Sequence, residues 1–594
     1  MERALRIVTV LLLAAAVWLL WLLVVSSDRA RAAAVRLSDR LQTLPTRLGT
    51  GTPADGDFAN ADHFPSGTPA GGQLNSVITA DPPGLNPLLF NDAVGQNIFE
   101  MCSMTLADRD WEHPEKFRMM LAESITVSPD HRQYHVKLRR GAFWQSFTDP
   151  ETGVRHPAKE VTAYDIKFTV DAILDPAVNC AAIRGYYQDI EEVRIINDFE
   201  FVVVWSREYY GSRASTMGLF PLPRHFYAPD GKFDGRKFND DHKRNRMIVG
   251  CGPYLLSAWE SSRSVRLEKN PDYLGARYGA APPLDTRKID VIKLPNTQFQ
   301  SLLAGKTGML SLTPEQWAKR TGSAAFNGGK FRKIRFPGSS YSYIGYNEKV
   351  PCFADAKTRR ALTMLIDREE ILDKLMYGCG RVAKGPFKPG SPFSDPALAP
   401  LPYDPEQAKR LLREAGWRDS DGDGILERDG RKFSFTMLQI SGSSIQMRML
   451  PMIKNYFAAA GIDMKLQTVE WSVLLERLKK REFEACNLGW TGTVEPDLFQ
   501  VFHSSQIAGD GDNFISFSNK ALDEKIMALR KEFDMAKRLR LYREMEKIIH
   551  EEQPYTFMFY PDSLLVVSTE YDNVRVFPDG VYPLSFRMKP EAMK

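Results

Sequence analysis

Val161-Thr162-Ala163-Tyr164-Asp165-Ile166-Lys167-Phe168-Thr169 reads as the start of a helix. Thr162 suits the N-cap, Asp165 stands three residues on, where a carboxylate reaches back to the cap, and Val161 and Ile166 are spaced as a hydrophobic staple. Working outward, short apolar runs flank this helix at 134–138 and 201–205, each of strand length and rich in β-branched or aromatic residues. The alternation recurs down the chain. Asp367 and Asp404 open two further helices, the second with Pro405 at its first position and Gly416 as its stop. Residues 534–551 place Met535, Leu539, Tyr542, Met545 and Ile549 on one helical face, with Lys and Arg opposite and Pro554 beyond the end. Further strands are predicted at 265–267, 433–438 and 557–560. Such alternation predicts an α/β protein whose sheets are covered by helices.

Length and composition set the scale. The chain has 594 residues, 43% hydrophobic and 26% charged, enough for several domains or one large assembly. A net charge of +4 is too weak and too dispersed for a nucleic-acid partner. The six cysteines (Cys102, Cys180, Cys251, Cys352, Cys379 and Cys486) form no CxxC motif, which argues against zinc and thioredoxin-like chemistry. In an exported protein they would make one or two disulfides or remain buried thiols.

Signatures of catalysis are absent. Gly305-Lys306-Thr307 lacks the upstream glycine of a phosphate loop, because Gln300 stands there. Neither HExxH nor GxSxG occurs, although a pair of carboxylates distant in sequence stays open as a hydrolytic centre. No cofactor is implied. Asp419, Asp421 and Asp423 with Gly424 match the first half of a calcium loop, but Gly430 holds the place of the closing glutamate. A tight surface turn built from Asp and Gly is the plainer reading.

The N-terminus carries targeting information. Arg3 and Arg6 precede an apolar run over residues 7–25. Its length, near that of a bilayer span, favours a signal anchor over a cleaved signal peptide, with the segment ending at residue 27. Residues 28–44 read as a juxtamembrane helix and 45–72 as a flexible tether rich in Gly, Pro and Thr. The folded body is expected to begin at Gln73.

Five segments in order resemble family 5 of the extracellular solute-binding proteins, the oligopeptide, dipeptide and nickel group. They are Leu121-Ala122-Glu123-Ser124 with residues 134–142 (YHVKLRRGA), residues 162–169 (TAYDIKFT), Gly250-Cys251-Gly252-Pro253-Tyr254 with residues 267–273, Arg359-Arg360-Ala361-Leu362 with Ile366-Asp367-Arg368, and residues 487–499 (NLGWTGTVEPDLF). The resemblance implies a two-lobed periplasmic-binding-protein fold of the class II type. Residues 73–340 and 561–594 would form a first lobe, with an accessory subdomain over about 115–245, and residues 341–560 a second. Hinge residues would include Tyr343, Tyr346 and Tyr560.

The resemblance further implies a monomeric, non-enzymatic, extracytoplasmic receptor that passes a peptide or peptide-like solute to an ABC permease. The N-terminal helix would hold it at the inner membrane. A membrane-anchored sensor or scaffold using the same cleft, or a binder of a non-peptide solute, is the alternative. The ligand would meet Trp490, Thr491, Gly492, Thr493, Glu495 and Asp497, with Trp490 a stacking wall unless it is core at a strand end. Peptide-binding members carry an aspartate for the ligand amine where Thr493 stands. Glu495 and Asp497 are the nearest acids, and either could take over that role unless the segment is only a structural turn.

Overall fold

The computed structural model of the chain describes residues 58–65, 71–89, 92–508 and 511–593. The apolar run and the juxtamembrane helix lie outside the described residues. Among those described, no helix is long and apolar enough to cross a membrane.

The helix predicted to start at Thr162 runs Ala163–Leu174. Asp165 accepts from the Thr162 backbone N–H at 2.9 Å, from the Arg224 N–H at 3.2 Å and from the Trp144 indole at 3.4 Å. One buried carboxylate therefore ties together the helix start and two distant segments. The helix packs on an antiparallel sheet ordered Ile190–Asn197, Glu200–Trp205, Gln133–Leu138 and Ala122–Val127. In Gln133–Leu138, Tyr134, Val136 and Leu138 point inward while the residues between them face water, the period-two pattern of a half-buried strand.

Two more sheets complete the first lobe. In one, Gln73–Ile78 pairs parallel with Thr286–Val291, followed by Ser264–Lys269 and Tyr254–Glu260. In the other, the long strand Phe559–Ser568 lies between Met309–Ser311 and Phe331–Pro337 and also pairs with Gly380–Val382.

The second lobe is built on a five-stranded mixed sheet in the order Asp463–Val469, Ser434–Ile440, Ala485–Thr491, Ser340–Tyr346 and Tyr555–Phe557. Both faces are buried. Ile344 and Tyr346 pack with Phe435, Met437 and Met449 on one side. Tyr341 and Tyr343 pack with Tyr542, Met545 and Ile549 of the helix Met535–Glu552 on the other. That helix departs from its expected pattern. Arg538 and Glu546 are buried on its apolar face, whereas Met535 is exposed. Glu546 is satisfied there by the Ser394 hydroxyl at 3.2 Å and by the Asp395 N–H.

Two chain crossings join the lobes. One runs from Phe331–Pro337 into Ser340–Tyr346, the other from Tyr555–Phe557 into Phe559–Ser568. They touch where the Gly338 N–H donates to the Pro561 carbonyl at 3.1 Å, and a Cβ on Gly338 would stand 2.6 Å from that oxygen. Tyr343 and Tyr346 lie inside a central strand, beyond the crossing. Tyr560 sits at the start of the return strand.

The tether assigned to residues 45–72 is too long. Phe58 is 1% exposed and stacks on Tyr278 with ring centroids 5.4 Å apart. Asn60 donates to the Arg109 carbonyl and accepts from the Trp111 N–H, both at 2.9 Å. His63 stacks on Trp111 at 5.5 Å. Composition missed this because a few aromatic and hydrogen-bonding residues suffice to dock a short segment. All six cysteines are free and buried.

Candidate functional site

The segment after Cys486 has one side open. Ala485–Thr491 pairs along its whole length with Ser340–Tyr346, from Tyr346↔Ala485 to Ser340↔Thr491. On its other side it pairs with Ser434–Ile440 only at Met437↔Ala485 and Leu438↔Cys486. Among the described residues, no strand pairs with Leu488, Gly489 or Trp490 there.

Trp490 is half-buried. Its ring lies nearly parallel to Tyr343, with centroids 6.4 Å apart, and to Phe514 at 6.0 Å. Its indole N–H donates to the Tyr555 hydroxyl at 3.4 Å. It is thus anchored in the aromatic core while keeping surface at the strand end. Thr491 and Thr493 are exposed, and the Thr493 hydroxyl donates to the Glu495 carbonyl at 2.8 Å. The Gly492 N–H is already used by the Ser339 carbonyl at 2.9 Å, and a side chain there would collide with that oxygen at 2.7 Å.

The two acids are engaged by the protein itself. Arg538 donates through Nε to Glu495 at 2.7 Å. Arg530 pairs with Asp497 at 3.2 Å, and the Tyr209 hydroxyl donates to the same carboxylate oxygen at 3.1 Å. Of the six residues that sequence reasoning assembled, Trp490, Thr491 and Thr493 offer surface to a ligand. The Gly492 N–H, Glu495 and Asp497 are occupied.

Other groups at this interface could not be found by motif. Glu100 is exposed, yet protein crowds it enough that burial, with help from the Asp108 charge, pushes its carboxyl up to about 6. Burial also pushes Asp108 up to about 6, against the pull of the Arg109 N–H and charge. Arg109 is lowered by burial while Asp579, Glu495, Asp108 and Tyr582 oppose the shift. Tyr186 is raised by burial and by Asp497 and Asp512. Burial raises Asp512 too, against Lys479 and Arg481. Glu495 acts on Arg109, and Asp497 and Asp512 on Tyr186, from segments distant in the chain, so no local spacing announces these couplings.

Asp419, Asp421 and Asp423 converge as expected, joined by Glu427, with one oxygen of each within 4.8 Å of the others. The cluster is a surface turn. Asp419 accepts from the Gly422 N–H at 2.8 Å and the Gly424 N–H at 3.1 Å, and the Lys432 ammonium bridges Asp423 and Asp421.

Comparison with known proteins agrees with this architecture. Residues 116–510 match the family model described as "Bacterial extracellular solute-binding proteins, family 5 Middle". The chain is 30% identical to the oligopeptide-binding protein AppA of Bacillus subtilis over 525 residues, covering 86% of this chain and 90% of the relative. It is 24% identical to the dipeptide-binding protein of Escherichia coli, covering 84% and 91% of the two chains. The solved structure of Bacillus subtilis AppA in complex with a nonapeptide superposes with a TM-score of 0.76 at 28% identity, covering 88% of this chain and 99% of that one. With two helix-covered lobes, paired crossings and an open strand edge between them, this chain belongs to family 5 of the bacterial extracellular solute-binding proteins.

Proposed function

We propose that this protein captures a peptide or peptide-like solute between its lobes and presents it, chemically unchanged, to an ABC permease. The observation that carries the peptide reading is the open edge of Leu488–Gly489–Trp490. An extended backbone completes such an edge by adding itself as a strand, while its side chains project into wet pockets. Trp490 then flanks the added strand as a wall.

Closure is a hinge motion, and hinges fall at element ends. The hinge accordingly sits at residues 337–340 and 557–561, taking in Tyr560 and stopping short of Tyr343 and Tyr346. The first lobe comprises residues 58–337 and 561–593, with the accessory subdomain at about 115–245, and the second lobe comprises 340–557. The protein acts outside the cytoplasm, held at the membrane by its N-terminal apolar run.

Mass spectrometry of solute carried through purification of the native protein, followed by calorimetry with a peptide library, tests the reading. Peptides should co-purify, rebind and be recovered intact. Retention of a sugar or a metal chelate with no peptide binding would refute it.

A further inference from the structure

The acids expected at the ligand's end of the cleft stand in a contact between the lobes. Tyr209 and Tyr210 follow the strand Glu200–Trp205, and Tyr209 is buried in the first-lobe core. Tyr210 packs against that core and against the second-lobe core as well. Across from them lie Glu495, Pro496 and Asp497.

The contact is dense in directed bonds. Tyr209 donates to Asp497 at 3.1 Å. The Pro496 carbonyl accepts from Tyr210 at 3.2 Å and from Tyr542 at 2.6 Å. The Tyr210 N–H donates to the Arg530 carbonyl at 3.0 Å. The Arg530 guanidinium lies 4.5 Å from the Tyr209 ring centre and 4.3 Å from that of Phe499, and Arg538 lies 5.2 Å from the Tyr210 ring centre. His131 of the first lobe stacks on Phe533 of the second at 4.1 Å.

We infer that Asp497 serves an interlobe clasp, and Glu495 an ion pair inside the second lobe beside it, instead of the cationic end of a ligand, so that the cleft accepts peptides with a blocked α-amine as readily as free ones. This rests on the peptide reading above. The physical reason is competition. Arg530 and Arg538 are largely buried and already neutralise both acids. A ligand ammonium that displaced either would leave a buried guanidinium unpaired, which costs more than a new rim contact returns. The closed arrangement is then held in part by the protein's own groups.

Two measurements on the full-length protein test this. Fluorescent labels at Glu191→Cys and Lys520→Cys report the separation of the lobes, because the native thiols are buried and unreactive. Without ligand, the parent protein should populate a short distance, and Asp497→Asn and Tyr209→Phe should each shift the population to a longer one. Tyr209→Phe keeps the ring and loses only the hydroxyl, so it guards against a variant that misfolds. Identical distributions in the parent and in Tyr209→Phe overturn the clasp. In the second measurement, calorimetry compares matched tetrapeptide libraries with free and N-acetylated ends. The two should bind within about threefold of one another. A loss of about tenfold or more on acetylation that vanishes in Glu495→Gln would overturn the inference. Absence of binding by both forms would refute the peptide reading itself, and the distance measurement would still judge the clasp.

Discussion

At the residue scale, burial decides what each polar group can do. The His225 Nε2 is buried without a hydrogen-bond partner, beside Phe147. Burial, with the positive groups of Lys159, His156 and Arg224, pushes its pKa down from 6.5 to about 4. A depressed pKa means the folded state resists protonation, so this contribution is complete above 6.5 and is lost as pH falls through about 4. The urea midpoint should fall across that window, and His225→Phe should remove about 2 kcal/mol of the drop, allowing for partial solvent screening. An unchanged pH profile in the variant would refute the assignment. Trp490 is legible as a site residue because it stands in a family motif, yet its packing between Tyr343 and Phe514 is tertiary and invisible in the chain. Trp490→Ala should weaken peptide binding by about 1–3 kcal/mol, while circular dichroism shows the fold retained. Global unfolding instead would make Trp490 core. The cysteines illustrate the same rule. Sequence leaves disulfides and thiols open; the fold keeps all six as free thiols, and burial raises Cys102, Cys352 and Cys486 to about 12.

At the element scale, local signals carried far. The caps at Thr162, Asp367 and Asp404 start helices where expected, at Ala163–Leu174, Arg368–Met376 and Pro405–Glu414. Capping and hydrophobic period are properties of a few adjacent residues, so one sequence exposes them. The partners of Asp165 are another matter. Two of its four donors, the Arg224 N–H and the Trp144 indole, belong to distant segments. Asp165→Ala should therefore cost about 2–4 kcal/mol in urea unfolding, more than a surface cap, because it also strands buried donors. A loss below about 1 kcal/mol would reduce it to an ordinary cap. The acidic turn at Asp419–Asp423 was legible as a turn, whereas the bridging Lys432 was not, since it arrives from the neighbouring hairpin strand. With an ammonium already against its carboxylates, millimolar calcium should leave the melting temperature unchanged. A rise of several degrees that a chelator reverses would give the loop to the ion instead.

At the scale of the whole molecule, the two-lobed plan was legible only through five ordered motifs, because the lobes are assembled from segments far apart in the chain. The influence of Asp497 and Asp512 on Tyr186, and of Glu495 on Arg109, was not legible, since those residues approach only in the assembled molecule. The start of the body was misjudged for a related reason. Phe58, Asn60 and His63 find their partners at Tyr278, Arg109 and Trp111. Deleting residues 1–57 should leave stability and peptide binding intact, whereas deleting 1–72 should lower stability by about 3 kcal/mol or more, the worth of a buried phenylalanine with its attendant hydrogen bonds. Equal melting curves for the two truncations would show the docked segment to be dispensable. The segment is also pinned by the end of the chain, where Asn573 donates to the His63 carbonyl at 3.0 Å and Arg575 meets the His63 ring at 2.9 Å. A mechanical load arriving along the N-terminal polypeptide is therefore taken up within the first lobe and never passes through the two crossings. A pull on that end is thus borne by the first lobe alone, and the second carries none of it.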